Sequence, residues 1–240
     1  MRRIVSTSCA LPDITINGKD GAFGAYLALP AATPAPGIVV AQEIFGVNQV
    51  MRETCDWLAG EGFVACSPDL FWRIEPGIQL TDKTEAEWAR AFELFGLFDV
   101  DKGIEDMSAT LAALRGHEAC SGKAGSVGYC LGGKIAYLMA TRSDADCNVS
   151  YYGVGLEQLT DEKANITKPL ILHIAAKDEF VPPEAQSVIK TELADHAQVT
   201  IHVYEGQDHA FARVGGEHYD QAAATLANER SLTFFRSHLS

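Results

Sequence analysis

A chain of 240 residues that is 47% hydrophobic and 21% charged has the composition of a globular protein, which excludes bulk disorder. Its net charge of −13 repels nucleic-acid backbones and anionic lipid surfaces, although a local arginine can still receive a small anion. No apolar run reaches the roughly 18 residues of a membrane span, and six scattered cysteines without a Cys-x-x-Cys pair read as reduced thiols rather than zinc ligands.

The start, Met1-Arg2-Arg3 followed by a short apolar stretch to Ala10, is too short for a signal peptide, and Cys9 lacks the apolar segment of a lipoprotein signal. The expectation is a cytoplasmic protein with no nucleic-acid or membrane partner. In chain order, residues 14–16 and 22–29 read as two strands around the turn Asn17-Gly18-Lys19-Asp20-Gly21. The stretch from Pro30 to Pro36 reads as a connecting turn, and 37–42 as a buried strand. Residues 48–60 have helical spacing through Val50, Met51, Cys55, Trp57 and Leu58. A short strand at 63–66 is ended by Ser67-Pro68-Asp69, and 84–98 and 101–115 read as helices. Further strands fall at 124–129, 148–152, 169–175 and 199–204, and further helices at 131–141, 183–194 and 218–238. This alternation predicts an α/β fold, with a mostly parallel sheet covered by helices on both faces, as one domain over residues 1–240. Ligands in such sheets bind beyond the carboxyl ends of the strands, so reactive residues just after strands matter most.

The sharpest of these is Gly128-Tyr129-Cys130-Leu131-Gly132-Gly133, between a predicted strand and a predicted helix. It has the form of a nucleophile elbow, Gly-x-nucleophile-x-Gly, with cysteine as the nucleophile. The helix start favours a thiolate and a developing oxyanion. A buried structural cysteine beside a glycine-rich helix start is the plainer alternative, and the flanking strand, helix and glycines weigh against it. An elbow needs an acid and then a histidine from later strand ends. Asp178 and His209 occupy such places, each about one strand-helix-strand unit on. His173 and His202 lie within predicted strands, and His117, His196, His218 and His238 lie on helices or their ends. Asp208 and Glu179 are rival acids that adjoin better candidates. Gln42-Glu43-Ile44-Phe45-Gly46 follows the first long buried strand, where the Ile44 N–H would complete an oxyanion hole with that of Leu131. Glu43, at the end of an apolar run, is a loop acid, a helix cap or a base near Cys130. Arg213, four residues past His209, is an anion ligand or a surface arginine.

At these residues the chain resembles the dienelactone hydrolase family of the α/β-hydrolase fold. The matching segments are Val39 to Asn48, Met51-Arg52-Glu53-Thr54, Pro68-Asp69-Leu70-Phe71, the elbow, Tyr151 to Gly155, His209 to Arg213 and Leu226 to Arg230. The resemblance implies a monomeric esterase with a Cys-His-Asp triad and neither metal nor cofactor, which opens dienelactone, an unsaturated lactone with a free carboxylate, to maleylacetate. By motif position, Cys130, Asp178 and His209 are the triad, Glu43 is the carboxylate that contacts the resting thiol, and Arg213 is a substrate-carboxylate ligand. The place of a second family arginine is held by Trp88, with Arg90 two residues on, a departure that loosens the link to dienelactone itself. Arg73 matches a further family arginine, with no physical reason for a catalytic role. The reading is therefore a cysteine-dependent hydrolase of an enol lactone. The alternatives are a broader esterase or lactonase on a less anionic substrate, or a non-catalytic redox sensor using Cys130.

Overall fold

The computed structural model describes residues 13–240, so the basic start and Cys9 lie outside the described residues. Among the described residues, eight strands form one sheet in the order β1-β2-β4-β3-β5-β6-β7-β8. They are β1 (Ile14–Asn17), β2 (Ala22–Ala28), β3 (Ala35–Ala41), β4 (Val64–Pro68), β5 (Cys120–Tyr129), β6 (Asn148–Tyr151), β7 (Leu170–Ala175) and β8 (Val199–Tyr204). The hairpin β1–β2 and the pair β2–β4 are antiparallel, and every other pairing is parallel. The inner parallel strands are buried along most of their length, as continuous apolar runs require.

Among the described residues, six α-helices connect and cover the sheet: α1 (Gln49–Gly60), α2 (Glu85–Leu97), α3 (Val100–Arg115), α4 (Leu131–Arg142), α5 (Pro183–Leu193) and α6 (Gln221–Leu239). Helices α3 and α4 pack on each other and on the sheet. Helices α1 and α6 are joined by the Arg236–Glu61 ion pair, and Phe63 meets Phe235 of α6 edge-on. Asn48, Thr84, Asp99 and Asp220 cap α1, α2, α3 and α6 by accepting from the N–H three residues on. Each such cap contributes about 1 kcal/mol. Helices α4 and α5 have no capping side chain, and at α4, which follows Cys130, the first amides stay available to a ligand.

Four expected boundaries move by two residues or more, each for a local reason. β3 begins at Ala35, within the stretch expected as a turn, because Ala35 pairs with Cys120 of β5. β4 continues through Ser67 and Pro68 because β2 pairs with both. β5 begins at Cys120, where β3 already pairs with it at Ala35. α6 begins at Gln221, after the Asp220 cap, so His218 lies in the preceding turn. Two short 3-10 helices, Leu156–Gln158 and Thr160–Asn165, were not expected.

The register of the sheet places the site. Strand order reverses around β3, whose neighbours are β4 on one side and β5 on the other. The carboxyl ends at such a switch point leave a crevice. Ala41 of β3 lies opposite Gly128 of β5, so the two chains leave the sheet side by side two residues before Glu43 and Cys130. On the same edge, Ala175 of β7 lies opposite Tyr204 of β8, and Asp178 and His209 follow three and five residues later.

Candidate active site

Cys130 sits at the turn between β5 and α4 with φ of 57° and ψ of −115°. That conformation costs an L residue energy and survives only where its surroundings impose it. Its N–H donates to Tyr151 O, and its carbonyl accepts from Lys134 N. The glycines make the turn possible by their lack of a side chain: a Cβ on Gly128 would strike the Gly132 carbonyl, and one on Gly132 would strike the Ala41 carbonyl. Among the described residues three non-glycines have positive φ, namely Cys130, Tyr152 and Ala210. Tyr152 packs edge-on against His209 at 5.1 Å, and Ala210 follows His209 directly, so all three lie around one point.

His209 Nδ1 lies 2.7 Å from Asp178 Oδ2, and both residues are buried. The other carboxylate oxygen of Asp178 accepts from Phe180 N and Val181 N, which fixes the carboxylate. Asp208, by contrast, is only half buried and lies 4.0 Å from His218. Nε2 of His209 is buried without a hydrogen-bond partner among the described residues, leaving it free for proton transfer. Burial opposes a charged ring, but the Cys130 sulfur and then Asp178 outweigh it and raise His209 to about 10. His173 is a different case: wholly buried, bridged to Tyr204 and Ser231, and lowered by burial, it is a core histidine.

Cys130 and His209 line a cavity of about 170 Å³ with Ile44, Phe45, Trp88, Phe92, Phe95, Val154, Phe180 and Arg213. Leu131 begins α4, so its N–H is one of the unpaired donors of that helix start. Ile44 reaches the same cavity from the turn after β3.

Glu43 is fully buried, and Arg213 is no surface arginine. Arg213 Nε and NH2 donate to the two Glu43 oxygens at 2.8 and 3.0 Å, and NH1 donates to Asp82 at 3.1 Å. Burial would weaken the guanidinium's charge, but Glu43 overrides it and holds Arg213 above the ordinary arginine value. Glu43 thus spends both oxygens on Arg213, where the expectation was a contact with the thiol. A neighbouring cavity of about 230 Å³, lined by Glu43, Arg213, Met51, Trp57 and Tyr152 among others, does not reach Cys130 or His209.

Trp88 lines the cavity at Cys130, edge-on to Phe45 at 5.0 Å and stacked on Phe92 at 5.6 Å. Its Nε1 donates to Asp82 O. Arg90 does not reach the cavity: it is tied to Glu75 and Glu93, because two residues along a helix turn a side chain to another face. Arg73 is structural, forked onto buried Asp106 and stacked on Trp72. Sequence reasoning missed Asp82, Tyr152, Phe92, Phe95 and Phe180. The spacing of Trp88, Phe92 and Phe95, four and then three residues, was the available signal for an aromatic helix face.

The dienelactone hydrolase family model matches residues 23–239. A "Putative carboxymethylenebutenolidase" of Azospirillum brasilense is 52% identical over 232 residues, covering 95% of this chain and all of that one. Carboxymethylenebutenolidase 1 of Cupriavidus pinatubonensis is 42% identical, covering 88% and 90% of the two chains. The crystal structure of a "Putative Dienelactone Hydrolase" from Klebsiella pneumoniae superposes with a TM-score of 0.82 at 26% identity, over 92% of this chain and 96% of that one. With the mostly parallel sheet and the elbow at its switch point, these matches show that the chain has the α/β-hydrolase fold and belongs to the dienelactone hydrolase family.

Proposed function

We propose that this protein is a cysteine-dependent hydrolase that opens enol lactones through Cys130, His209 and Asp178. The observation that carries the reading is the 2.7 Å His209–Asp178 contact beside a cysteine held at positive φ on an uncapped helix start. The Cys130 sulfur attacks the acyl carbon, and the oxyanion that forms is held by the N–H groups of Ile44 and Leu131. His209 gives its proton to the ring oxygen as the acyl–oxygen bond breaks, and the released enol becomes a ketone. His209 then takes a proton from water, the hydroxide attacks the thioester, and the carboxylic acid leaves with the sulfur restored. Asp178 fixes the ring tautomer and stabilises the imidazolium. An enolate leaves readily, which suits a sulfur nucleophile, so plain alkyl esters are poorer substrates.

Carboxymethylenebutenolidase relatives support an unsaturated lactone as the substrate. Glu43 serves this site by holding Arg213 in the cleft, and a substrate carboxylate has to share Arg213 with it. We take residues 1–240 as one monomeric catalytic domain. No helix among the described residues is long and apolar enough to cross a membrane, and a catalytic thiol suits the reducing cytoplasm.

The test is turnover of an enol lactone by purified protein in reducing buffer, followed by loss of the conjugated absorbance. His209→Ala should lower kcat/KM by at least about 100-fold, the usual scale of lost acid–base catalysis. Unchanged turnover in that variant would refute the mechanism.

A further inference from the structure

The cavity of about 230 Å³ beside the cleft at Cys130 shares one lining residue with it, Arg213. One face of α1 forms a wall of this second cavity: Val50, Thr54 and Trp57 recur at steps of four and three residues. Met51 and Tyr129 add a thioether and a second ring, and both residues are buried. Val214 is 62% exposed, so apolar surface continues to the mouth.

Two donors in this lining have no partner among the described residues. Tyr152 is 2% exposed, and its hydroxyl is buried without a hydrogen bond. It lines this cavity and not the cleft at Cys130. Burial raises the phenol well above its ordinary value, so it keeps its proton and remains a donor. Asn228 spends its side-chain oxygen on the Tyr151 hydroxyl at 2.9 Å, which leaves its N–H2 as the second donor. Buried polar groups in native proteins are seldom unpaired, and a few polar groups in an apolar enclosure are the pattern of a small-molecule site.

The same lining narrows the ligand class. Two donors call for an acceptor oxygen. The charged residues are Glu43, Glu53 and Arg213, two carboxylates to one guanidinium, so an anion meets no net attraction. A cation would sit against the guanidinium. Rings at Trp57 and Tyr129 and the Met51 sulfur favour an aromatic body. An apolar cavity of about 150 Å³ holds benzene, so about 230 Å³ holds that ring with a carbonyl substituent.

We propose that this cavity is a second ligand site, separate from the one at Cys130, which takes a neutral aromatic molecule bearing a carbonyl oxygen. The ring lies against Met51 and Trp57, and the oxygen accepts from Tyr152 and Asn228. The occupant touches Arg213 without entering the cleft at Cys130. The site stands independently of the cysteine-hydrolase reading.

Benzamide is the probe, titrated calorimetrically into the purified protein. We expect one site with a Kd of about 1 mM or tighter, within the range a ligand of this size reaches. Val50→Trp, which fills the cavity from α1, should abolish binding. Tyr152→Phe removes one oxygen and keeps the ring, and it should raise Kd by about tenfold. Phe92→Ala, which alters the other cleft, should leave Kd unchanged. Benzoate has the same shape with a negative charge and should bind at least about tenfold more weakly. Should Val50→Trp fail to fold, Tyr152→Phe still decides. No heat of binding at about 10 mM benzamide, far above the expected Kd, would overturn the proposal. So would an unchanged Kd in Tyr152→Phe, or benzoate binding as tightly as benzamide. A Kd that moves in Phe92→Ala and not in Tyr152→Phe would place benzamide at Cys130 and overturn it as well. None of these outcomes bears on the cysteine mechanism.

Discussion

At the scale of residues, the site works by putting charges where water cannot screen them. His209 is raised to about 10 by the Cys130 sulfur and Asp178 against the effect of burial, so the ring is held charged at neutral pH. The folded state therefore holds this proton more tightly than the unfolded chain, whose histidine titrates near 6.5. The resulting stabilisation is complete below that value and is lost as pH rises through about 10. We expect limiting iodoacetamide to modify Cys130, which lines the cleft beside the His209 ring, ahead of the enclosed thiols. Modification of another thiol first would contradict that placement. The other buried thiols provide the contrast: burial pushes Cys66 up to about 12 and raises Cys55 and Cys147, so they should stay unmodified. Glu43 acts through Arg213. Glu43→Ala leaves a buried guanidinium with only Asp82, which should cost about 3 kcal/mol in urea unfolding. A loss under about 1 kcal/mol would mean that the pair behaves like a surface ion pair.

At the scale of elements, Cys130 is held by close approaches that only glycine permits. Gly132→Ala would push a methyl into the Ala41 and Gln42 carbonyls, separating α4 from β3. We expect a loss of about 1–3 kcal/mol or more by thermal unfolding, with activity lost alongside. Gly96, exposed in α2 with open space around its Cα, is the control: Gly96→Ala should stabilise by about 0.5–1 kcal/mol. Both measured the same way would show whether packing or propensity governs each glycine. The elbow was legible because strand, glycine, cysteine and helix are contiguous. Asp178 and His209 were legible because each follows an apolar strand. The Arg213–Glu43 and Arg213–Asp82 contacts were not, since they join residues 170 and 131 positions apart, and only the register of the sheet brings them together. The direction of Arg90 was hidden for another reason: a motif match fixes a position along α2 but not the face it presents.

For the whole molecule, the charge of −13 acts at long range on whatever approaches. An acidic lactone is repelled until salt screens the field, and a neutral one is not. Raising ionic strength from about 0.01 M to 0.15 M shortens the screening length from about 30 Å to about 8 Å. We expect kcat/KM for the acidic lactone to rise over that range and that for the neutral lactone to stay level. An equal response would place the salt effect on the protein rather than on the encounter. The antiparallel hairpin, the parallel sheet and its helices were all foreseeable from alternating apolar runs. The pairing of β4 with β2 as far as Pro68 was not, because it depends on a partner strand rather than on local sequence.

The central claim is that Cys130 carries the acyl group. Acid quench of the enzyme during turnover of an enol lactone, followed by mass spectrometry of its peptides, tests this directly. The account predicts an acyl adduct on the peptide bearing Cys130, with both adduct and hydrolysis abolished in Cys130→Ala. Hydrolysis by Cys130→Ala at the wild-type rate would contradict it.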